Sequence, residues 1–174
     1  EFSASKENSK IVFELKSDTF SELKPIIDKF NLKENVRSWI VDKVEADNYQ
    51  LLSLTGQGHI KNKKFKMDFE ALNGEVLFTD AKIHFKENLA PVLAPSFILT
   101  YHHGGLYFDL KEPSYENISL KGSEVKILNL LNTHSNLKLK IRANTRFDSK
   151  ILHLLKAYNL KIPVNQKSGT VNAL

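Results

Sequence analysis

Apolar and polar residues alternate one by one along much of this chain. From Lys10 to Lys16, Ile11, Phe13 and Leu15 fall on one side and Glu14 and Lys16 on the other, the period of two that marks a half-buried strand. The period then lengthens. Leu23, Ile26, Ile27 and Phe30 recur at three- and four-residue spacing, which predicts a helix capped by Ser17 or Asp18. Pro25 either confines the start of that helix to about Lys24 or kinks it. Lys33 to Val44 predicts a second amphipathic helix carrying Val36, Trp39 and Ile40. Trp39, the only tryptophan, reads as a core anchor rather than a binding platform, because it sits at helical spacing among Val and Ile.

After Asp47 and Asn48 the period of two returns for about a hundred residues, punctuated by glycine and asparagine. Strands are predicted over Tyr49 to Thr55, Lys63 to Glu70, Thr79 to Lys86, Ser96 to Tyr101, Leu106 to Leu110, Ile118 to Leu120, Val125 to Leu130 and Asn136 to Phe147. Gly56-Gln57-Gly58 reads as a bulge or turn. Phe65, Met67 and Phe69 alternate with Lys64, Lys66 and Asp68, and Ala81, Ile83 and Phe85 with Lys82, His84 and Lys86. The last stretch is the longest: Leu137, Leu139, Ile141, Ala143, Thr145 and Phe147 share one face, and at about 3.3 Å per residue it would reach on the order of 35 Å. A third helix is predicted over Ser149 to Tyr158, with Asp148 as its cap.

These elements give a mainly β chain with a few short helices (α+β), built on a long antiparallel sheet. A long sheet with one apolar face needs a cover of helices, a second sheet or an apolar ligand, and three short helices are scant cover. The architecture is also expected to repeat. Leu23, Ile26, Ile27, Phe30, Asn31, Leu32, Lys33 and Val36 match Ile151, Leu154, Leu155, Tyr158, Asn159, Leu160, Lys161 and Val164 at one constant offset, four of them identically. Residues 10–44 and 136–174 thus read as two copies of a strand-helix unit within one β-rich segment, 10–174.

Composition adds limits. With 41% hydrophobic and 26% charged residues the chain is ordinary for a folded domain, and no apolar run approaches the roughly 18 residues of a membrane span. The absence of cysteine excludes disulfides, cysteine zinc sites and a thiol nucleophile. The net charge of +5 comes from lysines spread along strands, the pattern of a solvated sheet face. Glu1 to Ser9 are small or polar, open without Met and read as a disordered tail with a cloning remnant, whereas Val171 to Leu174 read as the onset of a further strand, so a longer polypeptide is expected.

Catalytic chemistry finds no support. No phosphate loop, nucleophile elbow, metalloprotease helix or dinucleotide fingerprint is present. His102 and His103 are adjacent, and strand neighbours point to opposite faces unless the following Gly104 and Gly105 turn them, so they read as a hairpin flank and not a metal site. Asp68, Glu70, Asp109 and Glu112 are dispersed among lysines. Nucleic acid is not an expected partner, since Phe65, Phe69 and Phe85 lie opposite the lysines rather than among them.

The stretch from Thr79 to Leu174 resembles the AsmA-like proteins, in particular their YhdP branch. The residues that carry the likeness are Asp80 to Phe85 followed by Leu89-Ala-Pro-Val-Leu93, the hairpin Ser96 to Leu110 around Gly104-Gly105-Leu106, and Ile118 to Gly122 with Val125 to Leu130. The alternating strand Leu137 to Phe147, leading into Ile151 to Tyr158 and Ile162-Pro-Val164, completes it. The resemblance implies a segment of a periplasmic protein anchored in the bacterial inner membrane through a missing N-terminal anchor. Its long, curved antiparallel sheet would form an apolar groove or half-barrel that carries phospholipid between inner and outer membranes and contributes to outer-membrane integrity, with no cofactor and no catalysis. Expected partners are phospholipid acyl chains and neighbouring repeats of the same protein. Phe65, Met67, Phe69, Ile83, Phe85, Leu137, Leu139, Ile141 and Phe147 would then be groove or core residues, chosen by alternation alone. A non-catalytic β scaffold or protein-interaction module of the same envelope protein is the alternative.

Overall fold

A computed structural model describes residues 1–7, 10–28, 34–145, 149–159 and 171–173. In chain order the elements are β1 (Phe2–Glu7), β2 (Lys10–Leu15), β3 (Thr19–Phe20), α1 (Lys24–Ile27), α2 (Glu34–Val41), β4 (Val44–Glu45), β5 (Asn48–Lys61), β6 (Lys64–Ile83) and β7 (Val92–His102). There follow β8 (Gly105–Lys111), β9 (Ser114–Tyr115), β10 (Ile118–Ser119), β11 (Glu124–Leu128), β12 (Asn136–Lys140), β13 (Ala143–Thr145), α3 (Ser149–Ala157) and β14 (Val171–Ala173). Twelve strands form one open antiparallel sheet whose main path runs β1-β2-β5-β6-β7-β8-β11-β12, while β13 pairs with β14 in a separate two-stranded sheet.

The alternation becomes three apolar rungs running across the strands. The first is Phe20-Tyr49-Phe78-Phe97-Leu110. The second is Leu51-Val76-Leu99-Phe108-Val125-Leu139. The third is Leu15-Leu54-Gly74-Tyr101-Leu106-Ile127-Leu137. Side chains directly opposite across a ladder share a face, so each rung is one continuous stripe. Phe78 and Phe97, both fully buried, stack at 4.3 Å between ring centroids and 13° between planes. Leu106 and Ile127, at 1% exposure each, complete the core.

The sheet bends toward this face. Leu15 on β2 and Leu106 on β8 line a common cavity; in a flat sheet the four strand steps between them would hold them roughly 19 Å apart. The helices sit on the same side. Ile27 of α1 and Trp39 and Ile40 of α2 pack on the core, with Trp39 against Phe85 at 6.1 Å between centroids. At the far end, α3 packs Ile151 and Leu154 on a small second cluster built by Tyr115, Ile118 and Leu120.

Several expectations are corrected. Asn73-Gly74 is no turn: β6 runs straight through it as a 20-residue strand, joining the two strands expected on either side. Gly74 is accommodated because the Leu54 side chain lies over it, 2.9 Å from where a Cβ would stand. β5 likewise passes through Gly56 and Gly58, but the bulge expected there is real, since the register shifts between Thr55 and Gln57 and Gly56 faces the four residues 69–72 of β6. Asp68 sets this bulge by accepting the Gln57 amide through Oδ2 and the Glu70 backbone N–H through Oδ1, both at 3.1 Å. The Gln57 hydrogen bond, ahead of the backbone ones and the charge of Lys10, holds the carboxyl below its ordinary pKa.

The long final strand does not form. β12 stops at Lys140 and the chain breaks step before β13. Ser123 Oγ donates to the Arg142 carbonyl at 3.4 Å and accepts the Arg142 N–H at 2.9 Å, taking over both backbone groups a ladder would use. Residues 2–7, read as a tail, instead form the edge strand β1, paired along its whole length with β2. Ser17 does not cap α1; its Oγ accepts the Leu51 N–H at 3.0 Å, and the cap residue of α1 is Leu23, with Pro25 in the first turn. Asp148, and the part of the internal echo at Phe30 to Lys33 and Leu160 to Val164, lie outside the described residues.

Glycine at position 58 makes a testable demand. A Cβ there would overlap the backbone carbonyl of Lys66 and the ring of Phe65, which rests on the glycine. A carbonyl in a ladder cannot swing aside as a side-chain tip can. Gly58→Ala should therefore cost about 1–3 kcal/mol, read as a lower urea midpoint, whereas Gly56→Ala, which meets only side-chain ends of Phe13 and Leu72, should cost less.

Candidate functional site

The third rung does not meet the helices in full contact. Between them lies a partly open cavity of about 300 Å³, at the small end of ligand pockets. Its floor is the stretch Leu15-Leu54-Gly74-Tyr101-Leu106 of that rung and Leu51, Val76 and Leu99 of the second; Phe69 and Leu72 enter from the bulge, and Ile26 and Ile27 of α1 form the roof. The glycine in mid-rung is part of the reason there is space. Apart from Lys16 and Ser17, the lining side chains are aliphatic or aromatic, and no polar or charged residue of the described chain is buried.

Three lining residues, Lys16, Ser17 and Tyr101, carry polar groups. Lys16 is ion-paired with Glu14 at 2.9 Å, and that hydrogen bond, with the Glu14 charge, raises its pKa. Tyr101 donates its hydroxyl to the Phe69 carbonyl at 3.3 Å, tying β7 to the bulge. Burial pushes the Tyr101 phenol above its ordinary value. A raised pKa means the neutral form is favoured by folding, so this contribution is complete below about pH 10 and is lost as pH rises through the folded value. Burial raises the phenols of Tyr115 and Tyr158 in the same direction, so alkaline titration should show tyrosinate absorbance rising above about pH 10 together with loss of stability, and Tyr101→Phe should remove part of both changes.

The nine positions expected from alternation are not one site. Phe69 alone lines the large cavity. Met67 is half-buried and Phe65, 46% exposed, stands edge-on to Phe13 at 6.2 Å, both outside the cavity. Ile83 is core, fully buried. Phe85, Leu139 and Ile141 line a second hollow, only about 50 Å³, beneath α3. Leu137 ends the third rung at 42% exposure, and Phe147 lies outside the described residues. What alternation missed is the floor itself: Leu15, Leu54, Val76, Leu99, Tyr101 and Leu106 come together only through pairing across five strands.

Chemically the cavity can do one thing, which is to take apolar groups out of water, worth about 0.8 kcal/mol per methylene. Among the described residues no three His, Cys, Asp or Glu converge as metal ligands. His102 and His103 flank the β7–β8 turn, where His103 and Gly104 adopt positive φ. Their rings lie tilted at 35° with centroids 3.7 Å apart, and His102 Nδ1 is hydrogen-bonded to Asn73 Oδ1. No helix among the described residues is long and apolar enough to cross a membrane.

The chain matches the family model described as YhdP protein over residues 29–173. No curated protein and no solved structure matches it significantly. The matched span takes in α2, α3 and all the strands from β4 to β14, and leaves out β1 to β3 and α1. An open, one-faced sheet of the expected class and a family match over most of the chain agree: the chain belongs to the YhdP family of AsmA-like bacterial envelope proteins.

Proposed function

We propose that this chain is a segment of a lipid-conducting groove that moves phospholipid across the periplasm between inner and outer membranes, supporting outer-membrane integrity. The observation that carries the reading is the cavity of about 300 Å³ whose floor and roof are apolar while the opposite sheet face carries Lys66, Lys126 and Lys138. A sheet that buried this face only for stability would fill it, since interiors pack without voids much larger than a water molecule. Acyl chains are the ligands this wall suits. Neighbouring segments of the same protein are the proposed partners at the two edge strands, β1 and β12, whose outer sides have no strand beside them among the described residues. Anchoring in the inner membrane belongs, in this reading, to a part of the polypeptide beyond the chain; no cofactor, catalytic group or nucleic acid has a role in it.

The test is direct. Native mass spectrometry of the purified chain should find co-purifying phospholipid, and the delipidated chain should bind a fluorescent fatty acid saturably. A chain that carries no lipid and binds no acyl probe is a closed scaffold, and the groove reading is then wrong for this segment.

A further inference from the structure

On the β7 side the β5–β6 hairpin projects past its neighbour, while on the other side β2 accompanies β5 as far as His59. β7 ends its pairing with β6 at Tyr101 opposite Gly74, yet β6 continues out to Lys64 with only β5 on one side of it and β2 beyond. At about 3.3 Å per residue this overhang is on the order of 25 Å long once the bulge is allowed for. Its tip, Asn62 and Lys63, turns through two positive φ angles, 53° and 59°.

The two faces of this arm differ. Ile60 pairs with Phe65 across the ladder, and both are exposed, at 63% and 46%. The opposite face carries Lys61 paired with Lys64, and His59 paired with Lys66, with Lys63 at the tip. Like charges directly opposite across a ladder are unfavourable, and no ion pair among the described residues relieves Lys61, Lys63, Lys64 or Lys66. Asp68, farther down the same face, is occupied by Gln57. Elsewhere on this sheet face carboxylates relieve some of the lysines: Lys111 pairs with Asp109 at 3.1 Å, and Lys126, although it stands opposite Lys138, pairs with Glu124 at 3.3 Å.

We propose that the tip of this arm docks on the surface of a bilayer containing anionic phospholipid. Lys61, Lys63, Lys64 and Lys66 contact lipid phosphates, and Ile60 and Phe65 enter the boundary between headgroups and acyl chains. Basic residues near an anionic surface and apolar side chains at the interface reinforce one another in such binding. Nucleic acid fits less well, because stacking on bases would want the aromatic ring among the lysines, and Phe65 is on the other face. Docking requires nothing of the cavity, so it stands or falls separately from lipid conduction.

The experiment is flotation of the 174-residue chain with phosphatidylcholine vesicles and with vesicles containing about a third phosphatidylglycerol, at low and physiological salt. Binding is expected only to the anionic vesicles, weakening as salt rises. The variant K61Q/K63Q/K64Q/K66Q should lose at least tenfold in affinity with an unchanged melting curve. A control of equal charge change elsewhere on the sheet, K82Q/K111Q/K126Q/K138Q, should lose much less. Ile60→Ser with Phe65→Ser should also weaken binding. The proposal is overturned if anionic vesicles are not bound, if neutral ones are bound as well, or if the control variant loses as much as the tip variant. It is equally overturned if the arm instead drives self-association seen by light scattering and removed by the tip variant.

Discussion

Replacing Phe78 by Ala should destabilise the chain by about 3–5 kcal/mol, enough to leave much of it unfolded at ambient temperature if its stability is that of an ordinary domain. Phe78 is fully buried at the middle of the first rung, with Tyr49 edge-on at 5.2 Å and Phe97 stacked at 4.3 Å. Phe97 in turn stacks on Phe108 at 5.9 Å. Strands cannot close on the void that Ala would leave, because the rung on either side is held by ladder hydrogen bonds. Urea denaturation followed by circular dichroism measures the loss. Phe97→Ala should cost as much, and the double variant should cost less than the sum, with a coupling of about 0.5–1.5 kcal/mol between the stacked rings. Additive costs would show that the stack is only adjacency.

The second large effect is on ligand binding. Gly74→Leu should reduce affinity for an acyl probe at least tenfold while leaving the chain folded, at a cost of about 1 kcal/mol as the Leu54 side chain gives way. Gly74 has no positive φ, and a Cβ there meets only the end of the Leu54 side chain at 2.9 Å and the Ser53 carbonyl at 3.5 Å. Leucine is therefore tolerated by the backbone, favours a strand more than glycine does, and projects into the cavity. Titration with a fluorescent fatty acid, set beside a thermal melt, separates the two consequences. A variant that binds normally would place the ligand elsewhere. One that fails to fold would show that the space above Gly74 is not free.

Much of the architecture was legible because period-two alternation survives in β2, β6, β7, β8 and β12, and because three-residue spacing marks α2 and α3. What the sequence hid was pairing. Asn73-Gly74 looks like a turn until Leu54 is known to stand opposite it in the ladder, with the tip of its side chain leaning over the glycine. Leu137 to Phe147 looks like one strand until Ser123, distant in sequence, captures the backbone at Arg142. The cavity was hidden for the same reason: Leu15, Leu54 and Leu106 belong to strands that alternate no more clearly than others, and only register puts them on one rung. Alternation found Phe69 at the cavity, but it weighed Phe65 and Ile83 equally, though one ends on an exposed arm and the other in the core. Period two assigns a face and says nothing of how far along the strand the cover extends.

The bulge opposite Gly56 has an evolutionary side. The ladder toward the tip is fixed by Gln57 against Asp68, and the ladder toward the core by Thr55 against Asn73, so the four residues between belong to neither register. Insertions and deletions accepted there would reach neither the rungs nor the arm. Related sequences should vary in length at this point, and that variation offers a way to widen or narrow one wall of the cavity without rewriting the sheet.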